Sequence, residues 1–245
     1  LDGVTLVCVH LFMSRPNRTT PGGIPFHVLN RAVGRRTLFS TAEDYIVFLE
    51  TIAETLRTRP MRVCSYCVMP NHWHLILWPE LDGALSAFVQ HLTNLHVKRW
   101  KKAHGEVGYG HLYQGRFKSF PVQSDTYFYT VVRYIERNPV RANLVRSADQ
   151  WPWSSLGQTS LEAPIPMAPW PVPEPPTAGR QEWVDWVNWP QTEAELAALR
   201  TCVSRGQPFG DQAWVQATAG QLDLGSTLRP RGRPPQQGLS DQRPR

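Results

Sequence analysis

Cysteine is scarce: Cys8, Cys64, Cys67 and Cys202 are too few and too scattered to staple a chain of 245 residues, and a reducing compartment is the expectation. Cys64 and Cys67 form a C-x-x-C, but no second pair follows at zinc-ribbon spacing, so both read as strand and core residues. Long apolar runs are missing too, with nothing near the roughly 20 residues that a membrane span needs. No G-x-x-x-x-G-K-[ST] occurs, which disfavours an ATP-dependent replication initiator. Leu1 to Phe12 is apolar but has neither the basic start nor the cleavage site of a signal peptide. Met13 opens a polar run, so the native start is expected there, with 1–12 an upstream extension.

What is present is 41% hydrophobic and 11% aromatic, enough for a full-sized core. The net charge of +6 is uneven. Residues 1–160 carry 18 Lys+Arg against 11 Asp+Glu, residues 161–228 carry 3 against 8, and residues 229–245 carry 5 against 1. Two basic regions flanking an acidic one, in an aromatic-rich chain, point to nucleic acid as partner.

Phe26 to Val33 alternates as a first strand. From Thr41, a cap before Glu43 and Asp44, the residues Tyr45, Phe48, Leu49, Ile52 and Leu56 recur at helical spacing. Arg62 to Met69 is a strand, and Pro70-Asn71 turns it into P-N-H-W-H-L-I-L-W-P, a second strand paired with it as a hairpin. Alternation puts His72, His74 and Ile76 on one face and Trp73, Leu75 and Leu77 on the other. Leu85 to Trp100 reads as a helix ending in a basic cluster of Lys98, Arg99, Lys101 and Lys102. A basic strand follows, with Arg116 and Lys118 on one face. Asp125 caps a helix through Arg133, Tyr134 and Ile135 that stops near Asn138-Pro139. Strand, helix, strand, strand, helix, strand, helix is economically solved by helices packed on one face of a mainly antiparallel sheet, an α+β fold. The catalytic domain is expected over 13–160, a Pro-rich linker over 161–180, a small Trp-containing helical unit over 181–228 and a basic tail over 229–245.

Two imidazoles on one strand face, with a tyrosine and an amide at i and i+4 of a separate helix, can hold a divalent cation and offer a phenol beside it. An unaided phenol is a poor nucleophile, since a pKa of about 10 leaves about a thousandth of it ionised at pH 7. A cation on the phosphoryl oxygens of a phosphodiester would help it attack.

P-N-H-W-H-L-I-L, Q-G-R-F-K-S-F, R-Y-I-E-R-N-P-V-R-A and W-P-W-S-S, in this order over Met13 to Leu156, resemble the REP-associated tyrosine transposases, single-tyrosine members of the HUH endonucleases. The resemblance implies a ferredoxin-like domain that cuts and joins single-stranded, hairpin-forming DNA through a 5′-phosphotyrosine. It implies Tyr134 as nucleophile and His72, His74 and Asn138 as ligands of Mg²⁺ or Mn²⁺. It also implies a bacterial, cytoplasmic, nucleoid-associated protein, monomer or homodimer, with no membrane. The DNA-binding candidates are Lys98, Arg99, Lys101, Lys102, Arg116, Lys118, Arg133, Arg231 and Arg233. The last two lie in R-G-R-P, which resembles an AT-hook core. A noncatalytic DNA-binding relative is the alternative; the intact Tyr134 and histidines speak against it.

Overall fold

The structure is a computed structural model that describes residues 19–158, 165–170, 177 and 179–229. The expected extension (1–12), the start at Met13, much of the Pro-rich segment, and Arg231 and Arg233 lie outside these residues.

Four strands, β1 (Phe26–Arg31), β2 (Arg62–Met69), β3 (His72–Trp78) and β4 (Lys118–Pro121), form one antiparallel sheet in the order β2-β3-β1-β4. The helices α1 (Ala42–Thr58) and α2 (Ala84–Ala103) alternate with the strands as expected, giving the ferredoxin-like βαββαβ order. Thr41 caps α1 reciprocally with Asp44, which satisfies two of its free N–H groups. The β2–β3 hairpin turns on Pro70 and Asn71 alone. The basic strand is shorter than its alternation suggested: Arg116 falls in the loop before β4, and only Lys118 belongs to the strand.

Trp73, Leu75 and Leu77 of β3 point into a core with Phe48 and Ile52 of α1 and Phe88 and Leu92 of α2. Ile76, Cys67 and Phe120 point the opposite way, against Phe128, Val131 and Ile135 of α3 (Thr126–Glu136). The expectation that the helices share one face is therefore corrected. Only α1 and α2 do; α3 takes the other face. The reason is that the sheet is apolar on both sides, with β2 buried from Val63 to Met69, so each side needs a cover. A bulge between Val63 and Ser65 resets the alternation of β2 and turns Cys64 and Cys67 toward α3.

A four-residue turn of helix, α4 (Asn138–Arg141), follows α3. Then come α5 (Arg180–Asn188), α6 (Glu193–Arg205), α7 (Gln212–Gln221) and α8 (Gly225–Leu228). Trp183, Val187 and Leu199 join the core that α3 covers, so the C-terminal helical unit is docked on the sheet domain. W-P-W-S-S runs along the outer edge of β2: Val68 N–H donates to the Trp153 carbonyl at 2.8 Å and Ser155 N–H to that of Tyr66 at 2.9 Å. Residues 165–170 continue that cover, with Ala168 N–H on the Val63 carbonyl and Trp170 Nε1 on that of Cys64. No described helix is long and apolar enough to cross a membrane.

Candidate active site

Strand pairing builds the site. Opposite residues in an antiparallel pair share a face, and the register sets Arg31 and Met69 beside His72, Leu29 and Cys67 beside His74, and His27 beside Ile76. This face is the one that α3 covers. His72 and His74 lie edge to face with ring centroids 4.9 Å apart, and His27 stacks on His74 at 5.0 Å. The three imidazoles form a row across two strands. Tyr134 of α3 meets the row edge-on, its ring 6.2 Å from His74 and 6.4 Å from His27.

Each ring is held from behind. His72 Nδ1 is 2.6 Å from Asn71 Oδ1, and the Asn71 amide nitrogen donates to the Arg35 carbonyl at 3.2 Å, which fixes the oxygen toward the imidazole. His72 thus carries its proton on Nδ1 and leaves Nε2 with a free lone pair. His74 Nδ1 lies 2.8 Å from His27 Nε2. Burial pushes the pKa of His27 and His72 down to about 3 and holds His74 well below the ordinary value, with neighbouring cationic groups adding to it. All three are neutral at pH 7, the state in which imidazole ligates a metal.

Arg141 completes the cluster. Its guanidinium lies 4.3 Å from the centre of the Tyr134 ring and donates to the Tyr134 carbonyl (2.9 Å), to Asn138 Oδ1 (2.6 Å) and to Gln191 Oε1 (3.1 Å). Tyr134 and Asn138 are each about 9% exposed. Asn138 Nδ2 is buried without a partner among the described residues, while Oδ1 keeps a second lone pair beyond its bond from Arg141. Among the described residues no three His, Cys, Asp or Glu side chains converge on a point suited to a metal. Two imidazole nitrogens and an amide oxygen nonetheless make a donor set that suits a divalent cation.

The structure therefore brings His72, His74, Tyr134 and Asn138 to one side of the sheet. The basic candidates scatter. Lys98, Lys102, Arg116 and Lys118 are exposed. Arg99 is engaged by Glu54 and donates to Thr51 Oγ1 at 2.9 Å, clamping α2 to α1, so it is not a free cation. Lys101 donates to the carbonyls of Tyr109 and Gly110. Arg133 is buried against the C-terminal unit, over the Trp186 ring at 4.6 Å and on the Trp189 carbonyl at 2.7 Å, away from solvent. His27, Asn71 and Arg141 escaped the reading of the sequence. Asn71 and Arg141 stand inside the quoted motifs, and His27 becomes visible only once β1 is paired with β3.

Residues 22–138 match the family model described as "Transposase IS200 like". The chain is 27% identical over 141 residues to the "REP-associated tyrosine transposase" of Escherichia coli (strain K12), covering 55% of this chain and 77% of that one. It is 26% identical over 146 residues to the "Putative REP-associated tyrosine transposase" of Haemophilus influenzae (strain ATCC 51907 / DSM 11121 / KW20 / Rd), covering 56% and 81%. A solved structure described as "Structure of the REP associates tyrosine transposase bound to a REP hairpin" aligns with 26% identity and a TM-score of 0.49, covering 64% of this chain and 92% of that one.

Proposed function

We propose that the chain, whose residues 22–138 match the family model of IS200-like transposases, cuts and rejoins single-stranded, hairpin-forming DNA through a covalent bond to Tyr134. The observation that carries the proposal is the meeting of Tyr134 with the histidine row from a separate helix, its ring 6.2 Å from His74. Tyr134 Oη attacks the scissile phosphorus, an O–P bond forms, and the P–O3′ bond breaks. The phenol loses a proton and the 3′ oxygen gains one. The products are a 5′-phosphotyrosine and a 3′-OH, and attack by a 3′-OH reverses the step with no external energy source.

His72 and His74, with Asn138 as third donor, would hold Mg²⁺ or Mn²⁺. When bound, the cation would polarise the phosphoryl oxygens and stabilise the charge that develops on them. Arg141 holds the Tyr134 ring and the Asn138 oxygen in one bonded unit, so nucleophile and ligand are positioned together. Neutral His72, with Nδ1–H given to Asn71, keeps Nε2 available. The DNA partner is drawn from the same reading, as is the bacterial, nucleoid-associated setting.

Tyr134→Phe removes one oxygen from a side chain whose ring contacts are otherwise kept. It is expected to retain hairpin binding and to lose the covalent adduct that wild type forms with single-stranded palindromic oligonucleotides on a denaturing gel. An adduct formed by the phenylalanine variant would reassign the nucleophile.

A further inference from the structure

Three arginines of one stripe end on one short segment. Arg133, Arg137 and Arg141 stand four residues apart along α3 and α4, and Arg137 between the two helices keeps helical backbone, so all three face the same way. They face residues 188–191, which link α5 to α6. Pro190 disfavours helix at Trp189, whose backbone is extended, so α5 stops there and the carbonyls of its last turn are left without intrahelical partners. Arg133 donates to the carbonyls of Trp189 (2.7 Å) and Pro190 (3.3 Å), and Arg137 to that of Asn188 (3.2 Å). Asn188 is itself tied down by its side chain, which accepts from Ala148 N–H and donates to Ser147 Oγ, each at 2.8 Å. Any residue could supply those carbonyls. Arg141 is different, because what it meets on the segment is a side chain, Gln191 Oε1 at 3.1 Å.

We propose that Gln191 is a positioning residue for the cutting step: from the C-terminal helical unit it sets the Arg141 guanidinium, and through it the Tyr134 ring and the Asn138 oxygen. The inference rests on the strand-cutting reading above and adds to it a residue from outside the sheet domain. The bonds of Arg141 to the Tyr134 carbonyl and to Asn138 Oδ1 both leave from one terminal nitrogen, a single pivot about which the planar guanidinium can swing. The bond to Gln191 leaves from the other terminal nitrogen and stops that swing. The group so fixed is the one that lies 4.3 Å from the centre of the Tyr134 ring. Gln191 is about 6% exposed, and a guanidinium only donates. The amide oxygen therefore faces Arg141, and the NH₂ group is turned away from it, buried with no acceptor among the described residues. A buried amide with an unanswered N–H gives up about as much as its bond to a charged partner returns, so stability does not account for this side chain. What it supplies is direction.

The test uses the full-length protein with Mn²⁺ and a saturating hairpin oligonucleotide. It reads the rate of adduct formation on a denaturing gel, with hairpin affinity and melting temperature measured beside it. Gln191→Met keeps length and bulk and removes the acceptor, while the carbonyls of residues 188–190 still hold Arg133 and Arg137, so the C-terminal unit stays docked. This variant is expected to form the adduct about tenfold to a hundredfold more slowly, the penalty of a slightly misplaced nucleophile, with hairpin affinity unchanged. Gln191→Glu keeps an oxygen for Arg141 and is expected to recover most of the lost rate. A wild-type rate in Gln191→Met overturns the proposal. So does an equal loss in both variants, or a loss matched by melting below the assay temperature or by weaker hairpin binding, because Gln191 then acts on the fold or on the DNA and not on Tyr134. A wild type that forms no adduct sinks the cutting reading and this inference with it, whereas failure confined to the variants leaves that reading intact.

Discussion

At the scale of single residues, His27 alters the view of the proposed metal site most. A cation on His74 Nε2 requires the proton on Nδ1, and His27 Nε2 is the acceptor at 2.8 Å that holds this tautomer and the ring plane. Asn71 does the same for His72 through its amide oxygen. His27→Ala is therefore expected to weaken Mn²⁺ binding about tenfold to a hundredfold, as measured by calorimetric titration without DNA. Unchanged affinity, with the fold intact, would remove His27 from the site. That His72 and His74 share a strand face, and that Tyr134 and Asn138 lie together at the end of α3 and the start of α4, was legible because H-x-H and Y-x-x-x-N are local spacings. His27 was not, since its neighbour is 47 positions away and is met only through strand register. Arg99 misled for the same reason: the sequence shows a basic cluster, and Glu54 on another helix absorbs one of its cations.

At the scale of elements, the strands and helices follow the sequence closely because their punctuation is strong. Pro70-Asn71 makes the hairpin, Thr41 and Asp44 start α1, and Asp125 accepts from Tyr127 N–H at the start of α3. The assignment of faces did not follow. Alternation says that a strand has two faces but not which helix lies on each, and the bulge at Cys64 breaks the alternation in β2. Trp73 shows what the two-faced sheet asks of the H-W-H strand. Fully buried, it packs against Phe48 and donates from Nε1 to the Tyr113 hydroxyl at 2.9 Å, which in turn lies 2.6 Å from His96 Nδ1. Trp73→Ala is expected to destabilise the protein by about 3–5 kcal/mol in urea unfolding, through lost contacts and a stranded hydroxyl. A loss under about 1 kcal/mol would mean that the α1–α2 side collapses onto the gap.

At the scale of the whole molecule, two buried groups pull stability in opposite directions with pH. Burial lowers the pKa of His96 to about 3, and its Nδ1 must stay bare to accept from Tyr113. Its contribution is present above the unfolded value of 6.5 and is lost as pH falls through 6.5 toward 3. Burial raises the pKa of Glu136 from 4.5 to about 7, although Ser155, Trp183 and Ser65 donate to it. That contribution is present below 4.5 and is lost as pH rises through 4.5 to about 7. Glu136→Gln imitates the protonated acid, with its oxygen toward Trp183 and its NH₂ toward the serines. The melting temperature of this variant relative to wild type should therefore climb between pH 5 and pH 8, by an amount equivalent to on the order of 3 kcal/mol. A gap that does not vary with pH would show that the carboxyl titrates normally.

The position of β1 has a consequence in time. Of the four strands it comes first in the chain, and it is one of the two inner strands, flanked by β3 and by β4, whose last residue is Pro121. A chain emerging from the ribosome carries His27 long before either neighbour of β1 exists, and closure of such distant pairs is slow. The cover of α3 arrives later still, with α5 and α6. A chain made only as far as β3 thus carries all three histidines without their cover, and Tyr134 meets the row only once α3 has been made and docked.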